Sequence, residues 1–362
     1  LAYDPGKKRL AYRGHERYQY DCAKTTEIVR SGVMRIFASK PLEQSWVGQS
    51  ISIRFEIYSF NAFSFKDCSN IRMENIGIFA VPGMGLYADG CTDIELDNFN
   101  VRIRPESGRW SSATADATHF NACRGKVVLR NCLFEGMGDD AANIHNMYMV
   151  VAGRDGESTL KLRQGRGGGM PRSPNVGDKL EIGVKPNLLV PVAVVTVKSS
   201  REERPAGVVV VETVEKLSDA IQADSVVGNA SACPSLVVDG CTVRQNRARG
   251  MLVQTRDVMI EDSTFADVSG AALHICCDAD YWWEGIGTRN VTIRNNTFRD
   301  CNFGIARRHG TIDIFAEVGD QPAGAGVHRG ILIEKNRILN ADGAAIHVGC
   351  ADGVIIRRNT IE

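Results

Sequence analysis

One short unit recurs along this chain and leaves few folds open to it. It reads Ile71-Arg72-Met73-Glu74-Asn75-Ile76, then Ile94-Glu95-Leu96-Asp97-Asn98-Phe99, then Val127-Val128-Leu129-Arg130-Asn131-Cys132. It returns at Val258-Met259-Ile260-Glu261-Asp262, Val291-Thr292-Ile293-Arg294-Asn295, Ile331-Leu332-Ile333-Glu334-Lys335-Asn336 and Val354-Ile355-Ile356-Arg357-Arg358-Asn359. Several neighbouring copies lie 21–23 residues apart. Each is a short strand of alternating apolar and polar residues, closed by Asn, Asp or Gly. A unit this small buries its apolar face only by stacking on the next, as in a solenoid. The leucine-dense consensus of leucine-rich repeats is absent. The expected fold is all-β: a right-handed parallel β-helix with an inserted β-barrel-like module. The asparagines are expected at corners, where Asn tolerates the left-handed conformation.

Four regions follow. Residues 1–60 form an N-terminal β segment, read as a partial barrel, with strand-like alternation at Ser31–Ile36 and Ser50–Ile57. Residues 61–150 are the first part of the β-helix. The register breaks over 151–230, where Gln164-Gly165-Arg166-Gly167-Gly168-Gly169-Met170 precedes strand-like Val176–Ile182 and Val208–Glu212. That stretch is the expected barrel. Residues 231–362 resume the β-helix, and the abrupt last coil leaves strand edges that a truncation or a second subunit would explain.

The 362 residues carry 43 basic and 43 acidic side chains, a balance that gives no reason to expect nucleic acid or an anionic membrane as partner. No apolar run is long enough to span a bilayer. Eleven cysteines occur without a CxxC pair. Cys68, Cys91 and Cys350 stand just before repeat strands and are read as small buried thiols stacked at corners; Cys276-Cys277 fits that reading least.

The chemistry concentrates in Asp116-Ala117-Thr118-His119 and Gly138-Asp139-Asp140-Ala141-Ala142-Asn143-Ile144-His145. Asp116 precedes Asp139 by 23 residues, one turn of the repeat. Stacking at about 4.8 Å would therefore gather three carboxylates. Neighbours on a strand face opposite ways, so Asp139 and Asp140 converge only with a bend at Gly138. Like charges so placed push one pKa up and do nothing for folding, which points to catalysis and predicts that neutralising one would preserve or raise stability. A carboxylic acid beside carboxylates able to hold water is what glycosidic hydrolysis asks for. A calcium site or a solvated acidic turn is the bland alternative.

The same residues, with Cys123-Arg124-Gly125-Lys126 and Phe134-Glu135-Gly136-Met137, resemble the signature of glycoside hydrolase family 110, the exo-acting α-1,3-galactosidases of bacteria. Arg249-Gly250-Met251-Leu252-Val253-Gln254-Thr255-Arg256 and Trp283-Glu284 are similar to a second block of that family. The resemblance covers roughly residues 60–362. It implies a β-helix with inserted barrels, no cofactor, no metal, inversion at the anomeric carbon, and a glycan bearing terminal α-linked galactose as substrate. Secretion or a periplasmic location is implied as well. Asp116, Asp139 and Asp140 would be catalytic; similarity to the polygalacturonase-type β-helix site makes Asp139 the acid and puts the other two on the water. Asn146 departs from the glycine expected after His145.

Substrate-binding candidates are His119, Asn143, His145, Gln254, Arg256, Trp283 and Glu284. In Tyr281-Trp282-Trp283-Glu284 an aromatic face beside a carboxylate suits a sugar, with Trp283 and Glu284 as contacts and Trp282 as packing. Asp278 and Asp280 are read as loop residues, and His274 and His347 as structural. A homo-oligomer is compatible with the exposed edges. Rival readings are a polygalacturonase-like hydrolase, a polysaccharide lyase, and a non-catalytic carbohydrate-binding β-helix of the tailspike or adhesin kind.

Overall fold

A computed structural model describes residues 1–14, 26–37, 44, 47–54, 57–165, 171–203, 207–304, 307–319 and 323–362. The repeats stack as a parallel β-helix whose coils contribute to three ladders. One is eight-stranded and includes Phe63–Lys66, Leu86–Asp89, Thr118–Asn121, Ala142–His145, Met251–Val253, Leu273–Asp278, Gly310–Glu317 and Ala344–Val348 in chain order. The repeat strands themselves, from Ser69–Ile78 to Ala351–Arg357, form the second. Short strands such as Leu133–Glu135 and Thr264–Ala266 form the third. In the first coils the last two run together as one ten-residue strand. Alternation explains the core: in Thr92–Val101, Ile94, Leu96, Phe99 and Val101 point inward and are buried. Phe99, Phe120, Phe134, Phe265 and Phe298 are fully buried, and Phe265 stacks on Phe298 at 5.2 Å between centroids. Each such side chain contributes about 1.5–3 kcal/mol of burial.

The corner asparagines serve two positions rather than one. Asn75, Asn98, Asn131, Asp262 and Asn295 adopt the left-handed conformation, with φ between 51° and 57°. In later coils Lys335 and Arg358 take that place at φ 56°. There the buried asparagine is the next residue: the Asn296 amide donates to Asn336 Oδ1 and the Asn336 amide to Asn359 Oδ1, each at 3.0 Å. The side-chain amides repeat those bonds, so a polar ladder runs up the inside of the corner. The ten described cysteines are all unpaired and seven are buried, among them Cys91, Cys123, Cys132 and Cys241 at corners; Cys68, in the first coil, is exposed and Cys350, in the last, only half-buried, because neither has coils stacked on both sides. Cys22 lies outside the described residues.

After His145 the chain leaves the β-helix to form a closed antiparallel barrel, ordered Met149–Asp155, Thr159–Gln164, Val208–Thr213, Asn187–Glu203, Lys179–Val184, Val226–Asn229. Val151, Leu160, Leu162, Leu180, Ile182, Val211 and Val227 fill it. Most of the glycine-rich run, residues 166–170, lies outside the described residues. The β-helix resumes with its register intact: Ala142 pairs with Met251, and the Ala141 amide donates to the Gly250 carbonyl at 2.9 Å. Within the N-terminal region the described strands make a three-stranded antiparallel sheet of Arg9–Leu10, Ala2–Asp4 and Ser50–Ile51. A separate hairpin joins Thr26–Arg30 to Val33–Ile36, and neither closes as a barrel among the described residues. Phe55 and Glu56 of the second expected strand lie outside them.

Candidate active site

Asp116 and Asp140 occupy neighbouring rungs: the Asp140 amide donates to Asp116 Oδ1 at 3.3 Å and the Ala117 amide to the Asp140 carbonyl at 3.0 Å. Asp139 turns to the same side because residues 138–139 form a bend, not a strand. Gly138 is required there for space: an added Cβ would lie 2.4 Å from the Thr114 carbonyl oxygen. The three carboxylates are buried, and one oxygen from each can be chosen so that all lie within 4.8 Å of one another.

Two arginines answer these charges. Arg249 Nη2 donates to Asp140 Oδ2 at 2.7 Å and its backbone amide to Oδ1 at 2.9 Å. Arg247 Nη1 donates to Asp139 Oδ1 at 2.9 Å, and the Tyr58 hydroxyl to Oδ2 at 2.9 Å. The cluster is therefore not a bare repulsion; Asp139 has both oxygens satisfied, so its neutralisation would cost stability rather than raise it. Burial, reinforced by the charge of Asp139, holds the Asp116 carboxyl well above the usual carboxylate range. Burial pushes Asp140 up to about 7 against the pull of Arg249.

His119 and His145 follow Asp116 and Asp140 on the paired strands Thr118–Asn121 and Ala142–His145. His119 Nδ1 lies 2.7 Å from Asp116 Oδ2, and its Nε2 lies 2.8 Å from His145 Nε2. Burial lowers both imidazoles' pKa. Asn143 is buried in the cleft wall, and its Oδ1, itself covered, has no hydrogen-bond partner. Glu284 lies 4.0 Å from His145 Nε2 and accepts from Gln254 Nε2 at 3.2 Å. Gln254 thus reaches the cleft through Glu284. Asn146, in place of the expected glycine, ties the chain's exit together: its side chain donates to the Asn229 carbonyl at 3.1 Å and its carbonyl accepts from Gly285 at 2.6 Å.

These groups line an open cleft of about 820 Å³, edged by Tyr58, Met84, Tyr87 and the loop of Tyr281 and Trp282. The Asp278 carboxylate shapes that loop by accepting the amides of Asp280, Tyr281 and Trp282. Two expectations are reversed. Trp282, read as packing, is half exposed and lines the cleft, while Trp283 turns inward against Gly165 and Tyr148. Trp283 stands in the left-handed conformation, at φ 59°, where the chain turns away from Trp282. Arg256 does not reach the cleft: its guanidinium makes a two-pronged pair with Glu181 of the barrel at 2.7 and 2.8 Å. Its strand position faces the inserted barrel, which the repeat pattern alone does not place. A second cleft of about 760 Å³ lies between barrel and first coils, but its Asp67 and Asp89 are held by Arg172.

Tyr58 and Arg247 escaped sequence reading, and Arg249 entered it only as the head of a motif block with no role. Arg249 stands one rung from Asp140, and removing the barrel from the sequence would have aligned Arg-Gly-Met with Asp-Ala-Ala; Tyr58 precedes the repeats and carries no such signal.

Residues 224–362 match the family described as right-handed β-helix region. The chain is 32% identical over 321 residues to α-1,3-galactosidase A of Shewanella woodyi, covering 87% of this chain and 51% of that protein. It is 31% identical over 315 residues to an α-1,3-galactosidase B of Phocaeicola vulgatus, covering 81% and 52%. A second protein of that name from the same organism aligns at 29% with all of this chain and 62% of its own length. The chain thus spans about half to three fifths of the relatives it matches. It is a right-handed parallel β-helix protein whose relatives by sequence, at about 30% identity, are named α-1,3-galactosidases.

Proposed function

We propose that this chain carries the catalytic centre of an exo-acting glycoside hydrolase of family 110 that releases terminal α-1,3-linked galactose with inversion. The observation that carries the hydrolase reading is the buried trio Asp116, Asp139 and Asp140 at the floor of a sugar-sized cleft, with a carboxyl kept protonated beside carboxylates held by Arg247 and Arg249. Hydrolysis needs both forms: an acid gives its proton to the leaving oxygen, and a carboxylate takes one from the attacking water. In this reading Asp139 is the acid: it takes over the proton held on Asp116 and gives it to the glycosidic oxygen, which leaves Asp116 and Asp140 as the carboxylates that hold the water. Trp282 and Tyr281 offer ring faces, and Glu284 offers an acceptor for hydroxyls, with Asn143 in the wall beside it. Linkage rests on the resemblance and on the relatives' names, and exo action and secretion rest on the resemblance alone. Inversion does too, since oxygens within 4.8 Å are closer than the roughly 6.5–9.5 Å usual between inverting carboxylates.

A proton NMR time course on galactosyl-α-1,3-galactose, with wild type beside Asp139→Asn, tests the proposal. β-Galactose appearing first, and absent in the variant, is the expected result. α-Galactose first would overturn inversion alone. No release by folded protein that still binds the disaccharide would replace the hydrolase with a carbohydrate-binding β-helix.

A further inference from the structure

We propose that His309, Asp313 and His347 form a binding site for one divalent transition-metal ion of the zinc class, supported from behind by His274. The proposal is independent of the hydrolase reading. Leu252, His274, Asp313 and His347 are successive rungs of the ladder that also carries Asn143. Asp313 therefore stands three rungs beyond Asn143, about 14 Å at ~4.8 Å per rung.

Asp313 is fully buried, yet among the described residues no Lys or Arg pairs with it; the groups facing it are imidazoles. His347 Nδ1 lies 2.7 Å and His309 Nδ1 3.6 Å from the same oxygen, Oδ1. The two rings stack at 4.5 Å and 29°, which turns both Nδ1 atoms to one side. The three donor atoms lie within 4.8 Å of one another. A tetrahedral zinc ion bound at about 2.0–2.2 Å holds its donors roughly 3.3–3.5 Å apart, a spacing bracketed by the two distances seen. Two imidazoles and a carboxylate are ligands of matching softness, and they leave the fourth position to solvent. Access is open, with His309 more than half exposed and His347 about one third.

A second observation points to a ligand. Asp313 Oδ2 and both His274 nitrogens are buried without a well-formed hydrogen bond, although Oδ2 lies 3.0 Å from His274 Nδ1. His274 Nε2 in turn lies 3.4 Å from Glu317, which Arg308 holds. A ligating carboxylate backed by a histidine and a further ion pair is how outer residues orient a metal ligand. The acidic trio in the cleft differs, since Arg247 and Arg249 already occupy it as cations. An ion on His309, Asp313 and His347 would clip the strand Gly310–Glu317 to Ala344–Val348.

The test is a zinc titration of the full, untagged chain after chelator treatment, in competition with a chromophoric chelator, beside thermal melts with and without zinc. Wild type and Asp116→Asn should each bind one equivalent at micromolar affinity or tighter and melt higher with zinc. His309→Ala should melt like wild type without zinc, and His347→Ala lower, since it strips Asp313 Oδ1 of its 2.7 Å partner; both should bind zinc at least about tenfold more weakly. Undiminished binding in both histidine variants, loss of binding in Asp116→Asn, or no binding in wild type would each overturn the site and leave a hydrogen-bonded histidine clamp.

Discussion

His119 and His145 meet Nε2 to Nε2 at 2.8 Å, and the bonds at either end fix where the protons sit. His145 Nδ1 faces the Asn146 carbonyl, which can only accept. A neutral His145 therefore carries its proton on Nδ1, takes one at Nε2 from His119, and leaves His119 Nδ1 bare. Asp116 Oδ2, 2.7 Å away, must then be the donor. This agrees with the raised Asp116 and lowered histidines, which share burial as the leading cause. One proton is stored at the acid cluster by a chain that ends on a backbone oxygen.

Asp116→Asn should keep this chain, because the amide NH₂ replaces the carboxyl proton toward His119. A carboxyl raised in the fold binds a proton where the unfolded chain does not, so wild-type stability falls as pH rises from about 4 toward the folded pKa. The variant lacks that slope. Its stability relative to wild type should rise as pH climbs above about 4, by up to about 1.4 kcal/mol per unit, while turnover is lost; a constant or falling difference would refute the protonated Asp116.

Asp140 stands at about 7. If it must be ionised to hold the water, kcat/KM rises with pH through about 7 on the acid side of the profile. Arg249→Met removes the charge that favours the carboxylate, so that limb should move up by about one unit or more. A limb left in place in the variant would assign it to another group.

The two tryptophans should separate cleanly. Trp282→Ala removes an exposed cleft wall, raising KM about tenfold, worth ~1.4 kcal/mol, at unchanged melting temperature. Trp283→Ala opens a hole beneath Tyr148 and Gly165 and should cost up to about 3 kcal/mol of stability. Steady-state kinetics beside melts decide; the reverse pattern would restore Trp283 to the cleft.

Arg256→Met strands Glu181 at the barrel junction, where both side chains are mostly buried. Loss of about 2–4 kcal/mol is expected, with KM little changed. A selective rise in KM in a variant of unaltered stability would return Arg256 to substrate binding.

The repeat made the β-helix legible because apolar positions two apart must face one core, and counting one turn brought Asp116 to the Asp139–Asp140 pair, although the 23-residue count pointed to Asp139 where the register sets Asp116 against Asp140. What counting could not deliver was anything arriving from outside the stack. Tyr58 comes from before the repeats, Glu181 from the barrel, and Arg249 from the adjacent rung but 109 residues later. The choice between Trp282 and Trp283 lay in a loop whose shape depends on Asp278 accepting three amides, a geometry with no periodic trace.

The Ala141–Gly250 bond across the insertion has a consequence for how the molecule is made. The ribosome delivers Asp116, Asp139 and Asp140 long before Arg247 and Arg249, with the whole barrel between. Until the barrel closes and brings its two ends to within one rung, the carboxylates wait without their cations. Folding of the barrel thus shortens the loop that must be closed, and the order of synthesis makes the acid cluster one of the last parts of its neighbourhood to be neutralised.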